Sequence, residues 1–384
     1  MNANKKKKKF PLLFSILLGC LITLGLFLYF SKPISKSSSP IYEEIYTVSS
    51  DLNEKISQID HSIYDSLFER GIKEKDIFFS KVIPRHEKDY DWNFTELLIK
   101  LPNRNYAVLL EDVIYDKLSK LKPSVKVDKE KISDSEIVCH VYALGLYTHK
   151  IKLIYKEHGE IVPEGLPRIA IVIDDIGYDR DLAIAFMDLD LPLSLSILPS
   201  APHTVDIVNE ANKRGTELLL HLPMEPKDYP NLDPGLGALL TNMDEKMIKK
   251  ILYKDIEQVP GLRGVNHHMG SYFTERYDKM KIVLRELKRH NLFYLDSRTT
   301  NLTVAFDLAK DMGVPAAKKD LFLDNDLSSK AIKLQVERLF GFARYSGTAV
   351  GIGHPHKETL QVLREYLYQL KTDFKVVPVS ELAE

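Results

Sequence analysis

The first hydrophobic feature of the chain is an unbroken apolar stretch from Phe10 to Phe30, preceded by the lysine run Lys5 to Lys9. A helix needs roughly 20 apolar residues to cross a bilayer, and basic residues on its N-terminal side hold that end in the cytoplasm. The pattern predicts a basic cytoplasmic tail over 1–9, a transmembrane anchor over 10–30 and a main body outside the cytoplasm. The stretch is too long for the apolar core of a cleaved signal peptide. Leu17-Leu-Gly-Cys20 inside it nevertheless resembles a lipoprotein-processing site, which would leave Cys20 lipidated. Residues 31–41 are rich in Ser, Lys and Pro and read as a flexible linker. Beyond them Ile45, Val48, Leu52, Ile56, Ile59, Ile63 and Leu67 recur at three- and four-residue spacing, one buried stripe of an amphipathic helix that Gly71 ends. Strands are predicted over 76–83, 92–101, 124–128, 136–144 and 150–155, with a second helix over 106–121. Strands mixed with two helices make 42–160 a small α+β domain.

From Arg168 onward the pattern changes. Short apolar runs at 169–173, 193–198, 216–220, 262–265, 292–295, 314–317, 348–352 and 375–379 alternate with amphipathic helical stretches such as 244–258, 276–290 and 328–345. Repeated strand–helix units imply a parallel sheet, and this many imply an α/β fold. The expectation for 168–384 is a distorted (β/α) barrel of seven or eight strands, imperfectly closed because the run at Val314 is weak.

Composition narrows this picture. Basic and acidic residues number 53 and 54, so no global field favours nucleic acid. Cys20 and Cys139 are the only cysteines, and the first lies in the predicted anchor, so the exported part has no internal disulfide to rely on. The segment 42–160 contains no recognisable chemical motif and reads as a spacer or a surface for an envelope protein partner.

Candidate chemistry collects at the ends of the later strands, the face where barrel enzymes place their sites. The run Ile169-Ala-Ile-Val-Ile ends in Asp174, Asp175 and Gly177. The following strand ends bring His203, His221 with Glu225, His267 and His268, Asp296 with Arg298, Asp324, and His354 with His356. Imidazoles and carboxylates are the ligand set of zinc and similar divalent cations. Side chains alternate along a strand, so one of the adjacent carboxylates can bind a metal while the other faces a water. His267 and His268 cannot both face inward for the same reason. The sum suggests metal-assisted hydrolysis of an amide or ester. Each residue also has a bland reading: His221 as a buried hydrogen-bonded histidine, His354 and His356 as helix caps, Asp296 and Arg298 as a structural pair.

The order of these motifs resembles the divergent polysaccharide deacetylase family over Arg168 to the C-terminus. The resemblance rests on Ile-Val-Ile-Asp-Asp-Ile-Gly (171–177), Glu-Leu-Leu-Leu-His-Leu-Pro-Met-Glu-Pro (217–226), Val-Asn-His-His-Met-Gly-Ser (265–271), Phe-Tyr-Leu-Asp-Ser-Arg-Thr-Thr (293–300), Leu-Phe-Leu-Asp-Asn-Asp (321–326) and Gly-Ile-Gly-His-Pro-His (351–356). It implies Asp174 as base, Asp175 and His221 as metal ligands, and His354 or His356 as general acid. Glu225 stands where relatives carry the second histidine of a His-x-x-x-His pair, so the third ligand is Glu225 or another group, His268 foremost. Relatives often have Asn where His267 stands. His267, Glu225, Asp296, Arg298 and Asp324 are left as supporting or substrate-facing residues. The implied activity is removal of N-acetyl groups from peptidoglycan or another extracytoplasmic glycan, using zinc or another divalent ion. Two alternatives stand beside it: a glycosidase pairing Asp174 with Asp296 or Asp324, and a degenerate glycan-binding scaffold of the envelope.

Overall fold

A computed structural model describes residues 50–87, 90–133, 135–155 and 165–384. The predicted tail, anchor and linker, Cys20, and most of the boundary before Arg168 lie outside the described residues. Among the described residues no helix is long and apolar enough to cross a membrane.

The first part begins with α1 (Ser50–Glu69), whose Leu52, Ile59, Ile63 and Leu67 are buried in one core as the stripe requires. Gly71 follows at φ 65°, the left-handed turn expected of a helix-ending glycine. Then come β1 (Ile77–Glu87), β2 (Tyr90–Lys100), α2 (Arg104–Ser119), β3 (Val125–Ser133), β4 (Glu136–Ala143) and β5 (Leu146–Ile154). The sheet order is β1-β2-β5-β4-β3, antiparallel throughout except for the parallel pair β2–β5. Asn103 caps α2 by accepting from the Tyr106 amide. Cys139 is buried in this core, which pushes its thiol up to about 12.

The second part alternates strands and helices: β6 (Arg168–Ile176), α3 (Arg180–Met187), β7 (Ser194–Ile197), α4 (Thr204–Arg214), β8 (Glu217–Met224), α5 (Glu245–Glu257), β9 (Gly264–Met269), α6 (Tyr277–Arg289), β10 (Phe293–Asp296), α7 (Ala305–Asp311), β11 (Ala316–Lys318), β12 (Leu321–Phe322), α8 (Ser329–Ser346), β13 (Thr348–Gly353), α9 (Lys357–Glu365), α10 (Leu367–Thr372) and β14 (Lys375–Val376). The parallel sheet runs β11-β10-β9-β8-β7-β6-β13-β12, with β14 beside the start of β6.

Two apolar layers follow from strand alternation. Outward residues such as Ile169, Ile171, Leu218, Leu220 and Val265 pack under the helices. Inward residues Ala170, Val172, Leu219, Phe293, Leu295, Ala317, Val350 and Ile352 form their own cluster, which Val379 joins. Strands distant in the sheet share that inner cluster, so the sheet curls around it. The result is an open half-barrel. The predicted last strand, 375–379, ends early at Val376 and gives way to a 3₁₀ turn over Val379–Leu382. The strand predicted at 314–317 lies at Ala316–Lys318, and the two-residue β12 was not foreseen.

The two parts join through α8. Phe342 of α8 stacks on Phe79 of β1 at 5.5 Å, and Arg338 pairs with Asp60 of α1. The approach is close: a Cβ on Gly341 would lie 2.6 Å from the Phe79 ring.

Candidate active site

Asp174 continues the inward face of β6, after Ala170 and Val172. Simple alternation would turn Asp175 away from it. Instead Asp175 sits at φ 54°, where the β6–β7 register also shifts, and both carboxylates reach the same histidine. Asp175 Oδ1 is 3.0 Å from His221 Nε2 and 2.8 Å from His268 Nδ1, and Asp174 Oδ2 is 3.9 Å from His221 Nδ1. A left-handed aspartate at a strand end is backbone strain of the kind that functional sites retain.

Asn266 lies between the two halves of this site. Its Nδ2 donates to Asp174 Oδ1 (2.8 Å) and its Oδ1 accepts from His221 Nδ1 (2.9 Å) and from Ser196 Oγ (2.5 Å). Accepting from Nδ1 fixes His221 as the tautomer whose Nε2 carries a lone pair when the ring is neutral. Ser297 Oγ adds a further contact to Asn266 Nδ2 at 3.3 Å.

Three ligand-type atoms, one each from the buried residues Asp175, His221 and His268, lie within 4.8 Å of one another. Asp175 Oδ1 and Oδ2, His221 Nε2 and His268 Nδ1 make no aligned hydrogen bond despite their short separations. Buried polar atoms are normally paired. Atoms that converge without pairing suit a shared cation, and a carboxylate with two imidazoles is a donor set that divalent metals accept. The electrostatics agree. Burial alone would raise the Asp175 carboxyl, yet His268 and His221 outweigh it and hold the group well below the usual range. Burial would likewise lower His221, but Asp174 and Asp175 beside it raise the ring to about 9. The negative charge that favours a proton here is the charge a metal ion would take up instead. Asp174 differs: burial dominates and keeps its carboxyl above the ordinary value, against the pull of His221 and His354.

His354 follows β13 and is buried. Its Nδ1 lies 2.8 Å from Asp324 Oδ1, while Asp324 Oδ2 accepts the His354 amide (2.7 Å) and Thr359 Oγ1 (2.5 Å). Burial opposes charge on Asp324, but His354 and these donors keep its carboxyl below the usual range. His356 stands 6.3 Å away, ring to ring, as the half-buried residue before α9, its pKa lowered chiefly by burial.

Other expected site residues are placed elsewhere. Glu225 does not join the ligand cluster; its Oε2 accepts the Thr241 amide and anchors the loop that follows β8. His267 points to the helix side, with Nδ1 2.8 Å from the Tyr294 hydroxyl, because the inward positions of β9 are Asn266 and His268. Burial takes its pKa well below the ordinary value. Asp296 accepts from the Arg298 amide (2.9 Å), Thr303 Oγ1 (3.0 Å) and the Phe306 amide (3.2 Å), so it organises the turn into α7. Arg298 serves that turn through its main chain, at φ 49°. His203 is half-buried before α4 and makes no side-chain cap.

A family model described as divergent polysaccharide deacetylase matches residues 171–383. The chain belongs to that family. Among curated relatives, an uncharacterized protein of Escherichia coli strain K12, YibQ, is 35% identical over 215 residues, which is 56% of this chain and 67% of the relative. An uncharacterized protein of Haemophilus influenzae strain Rd is 32% identical over 220 residues, 56% of this chain and 76% of its own length. The crystal structure of an uncharacterized protein from Agrobacterium tumefaciens C58 superposes with a TM-score of 0.55 at 24% identity, covering 57% of this chain and 89% of that one. That likeness concerns the fold; the family model's match falls on the half-barrel rather than on the N-terminal sheet.

Proposed function

We propose that this chain is a divalent-metal-dependent hydrolase that removes N-acetyl groups from a polysaccharide of the cell envelope, peptidoglycan being the foremost candidate. The observation that carries the reading is the divided site: converging, unpaired ligand atoms of Asp175, His221 and His268 on one side, and Asp174 with His354 on the other. Asp175, His221 and His268 would hold the ion, and zinc suits that donor set. When bound, such an ion polarises an acyl carbonyl and acidifies a water.

The chain's own groups supply the proton transfers. Asp174 Oδ2 makes no hydrogen bond, whereas Oδ1 is held by Asn266, so Oδ2 is the atom that takes the proton of the attacking water. The water oxygen bonds to the acyl carbon and the C–N bond breaks. His354, oriented through Nδ1 by Asp324, gives its Nε2 proton to the departing amine. The products are acetate and a free amino sugar. Membrane attachment through residues 10–30 and an extracytoplasmic position for the catalytic part belong to the same proposal, because the substrate lies there.

The carboxylate-pair alternative loses its partners. Both oxygens of Asp296 accept hydrogen bonds from its own turn, and both oxygens of Asp324 accept from His354 and Thr359. The test is acetate release from N-acetylated oligosaccharides by the wild type, Asp174→Asn and His221→Ala. The expected result is release by the wild type and a loss of at least about 10²-fold in each variant. Glycan binding with no release by metal-loaded wild type would establish the scaffold reading instead.

A further inference from the structure

Loops after β8, β9 and β10 meet on the face of the half-barrel that carries the site. The loop after β9 runs through Gly270 and Ser271 into a 3₁₀ turn over Phe273–Glu275 and then into α6. It is tied to the loop after β8, because the Glu225 carbonyl accepts the amides of Tyr272 (3.1 Å) and Phe273 (3.0 Å). It is tied to the loop after β10 as well. Thr299 Oγ1 donates to Met269 O (2.8 Å), Thr300 Oγ1 donates to Glu275 Oε1 (2.7 Å) and the Val304 amide donates to Thr274 O (3.0 Å). Ser297, at the start of that last loop, touches Asn266. A side chain held on this rim is therefore held relative to the proposed metal ligands.

Arg276 is such a side chain. Its guanidinium carbon lies 4.0 Å from the centre of the Tyr272 ring, and both residues are half-buried. Nε is sealed from solvent without an acceptor, so packing rather than hydrogen bonding holds the stem. The two terminal nitrogens are not sealed, and no hydrogen bond holds them. Among the described residues no carboxylate lies within ion-pair distance of Arg276. The carboxylates of the same loops are committed elsewhere. Glu275 faces Lys227 (2.8 Å) and Thr300, Glu225 accepts the Thr241 amide, and Asp278 stands 3.8 Å from Lys279.

We propose that Arg276, stacked on Tyr272, is a substrate-binding residue that takes a carboxylate borne by the glycan beside the sugar being deacetylated. The substrate class is then an acidic N-acetylated glycan rather than a neutral one. The proposal rests on the deacetylase reading of the same site. A guanidinium is always charged, and its planar fork matches a carboxylate through two parallel hydrogen bonds. Stacking on the tyrosine face holds that fork in one orientation before the ligand arrives, which reduces the ordering that binding requires. Tyr272 follows His268 so closely in sequence that their Cα atoms are at most about 14 Å apart. The guanidinium is thus within reach of a sugar adjoining the reacting one. The carboxylate belongs either to that sugar or to a peptide joined to it, and the chemistry of recognition is the same.

The experiment uses the full-length, zinc-loaded protein as wild type, Arg276→Gln and Arg276→Lys, each checked by thermal unfolding. One pair of probes is the disaccharide of N-acetylglucosamine and N-acetylmuramic acid and its methyl ester. The other pair is the same disaccharide with a peptide on the sugar carboxyl, with the peptide's own carboxylates free or esterified. Affinity is read by calorimetry, and acetate release is followed in parallel. The expected result is an acid bound at least about tenfold more tightly than its ester by the wild type. That ratio falls to near unity in Arg276→Gln and is intermediate in Arg276→Lys. A preference confined to the first pair places the carboxylate on the sugar, and one confined to the second places it on the peptide. Equal binding of acid and ester in both pairs would overturn the proposal. So would a preference that survives in Arg276→Gln, or a loss there that is equal for acid and ester, as a structural role produces. An Arg276-dependent preference without acetate release from any probe would keep the carboxylate site and remove the deacetylase reading. Acetate release without the preference would do the reverse.

Discussion

Asn266 ties the Asp174 half of the site to the His221 half through its side-chain amide. The carboxylates and histidines stood out because their side chains are chemically conspicuous at strand ends. Asn266 did not, although it bonds both Asp174 and His221. The signal was present in alternation: if His268 faces inward then Asn266 does too, and His267 does not. Glu225 stood beside His268 as the other candidate for the third ligand, and His268 is the one in the cluster. Glu225 occupies the position of the second histidine in the family's His-x-x-x-His pair, but β8 ends at Met224 and the Glu225 carboxylate accepts the Thr241 amide. We predict that Asn266→Ala lowers acetate release by about 10- to 100-fold, the usual effect of losing a residue that orients ligands. It should cost about 1–3 kcal/mol of stability, since Asp174 and His221 each lose a buried partner. Parallel activity and denaturant-unfolding measurements check this, and unaltered activity would show that the two side chains hold their positions without it.

At the scale of elements, long amphipathic helices and apolar strands were legible and the shortest pieces were not. The 2-residue β12 has too few positions for a period to register. The left-handed turn at Asp175 is likewise invisible to a pattern that assumes regular alternation. The loop between β8 and α5 carries a further consequence. Asp255 of α5 is buried against Gly237, where a Cβ would stand 2.7 Å from both carboxylate oxygens, and its Oδ2 has no hydrogen-bond partner. Burial pushes its carboxyl up to about 7, with Lys254 opposing weakly. In the unfolded chain the group has an ordinary carboxylate pKa, about 4. The folded state therefore binds the extra proton between those values, and stability falls as pH rises from about 4 to about 7. Asp255→Asn removes the charge. It should match the wild type near pH 4 and exceed it above pH 7, by at most about 4 kcal/mol. Urea unfolding at both pH values measures the difference, and a difference independent of pH would refute the burial argument.

For the whole molecule, the parallel α/β architecture was read correctly from repeated strand–helix units, and the open seam from the weakness of the run at Val314. The junction of the N-terminal sheet with the half-barrel was not legible, because it depends on residues far apart in sequence. Asp60 of α1, His149 of β5 and Arg338 of α8 meet in a buried cluster, with His149 Nε2 3.0 Å from Asp60 Oδ1. Burial alone would raise Asp60, but Arg338 and His149 hold it below the ordinary range. Removing the guanidinium leaves a buried carboxylate short of its main partner, a change that costs about 3–5 kcal/mol. Arg338→Ala should therefore destabilise both parts together, in a single denaturant transition followed by circular dichroism and by Trp92 fluorescence. Separate transitions for the two signals would mean that the sheets fold independently.

The proposed function requires that Asp175, His221 and His268 converge to hold a divalent ion. Calorimetric titration of chelator-stripped protein with zinc tests it directly, comparing wild type with His268→Ala and Glu225→Ala. One ion per chain is expected in the wild type, with that site retained in Glu225→Ala and lost in His268→Ala. A wild type that takes up no ion, or a His268→Ala protein that binds it as tightly, would contradict the claim.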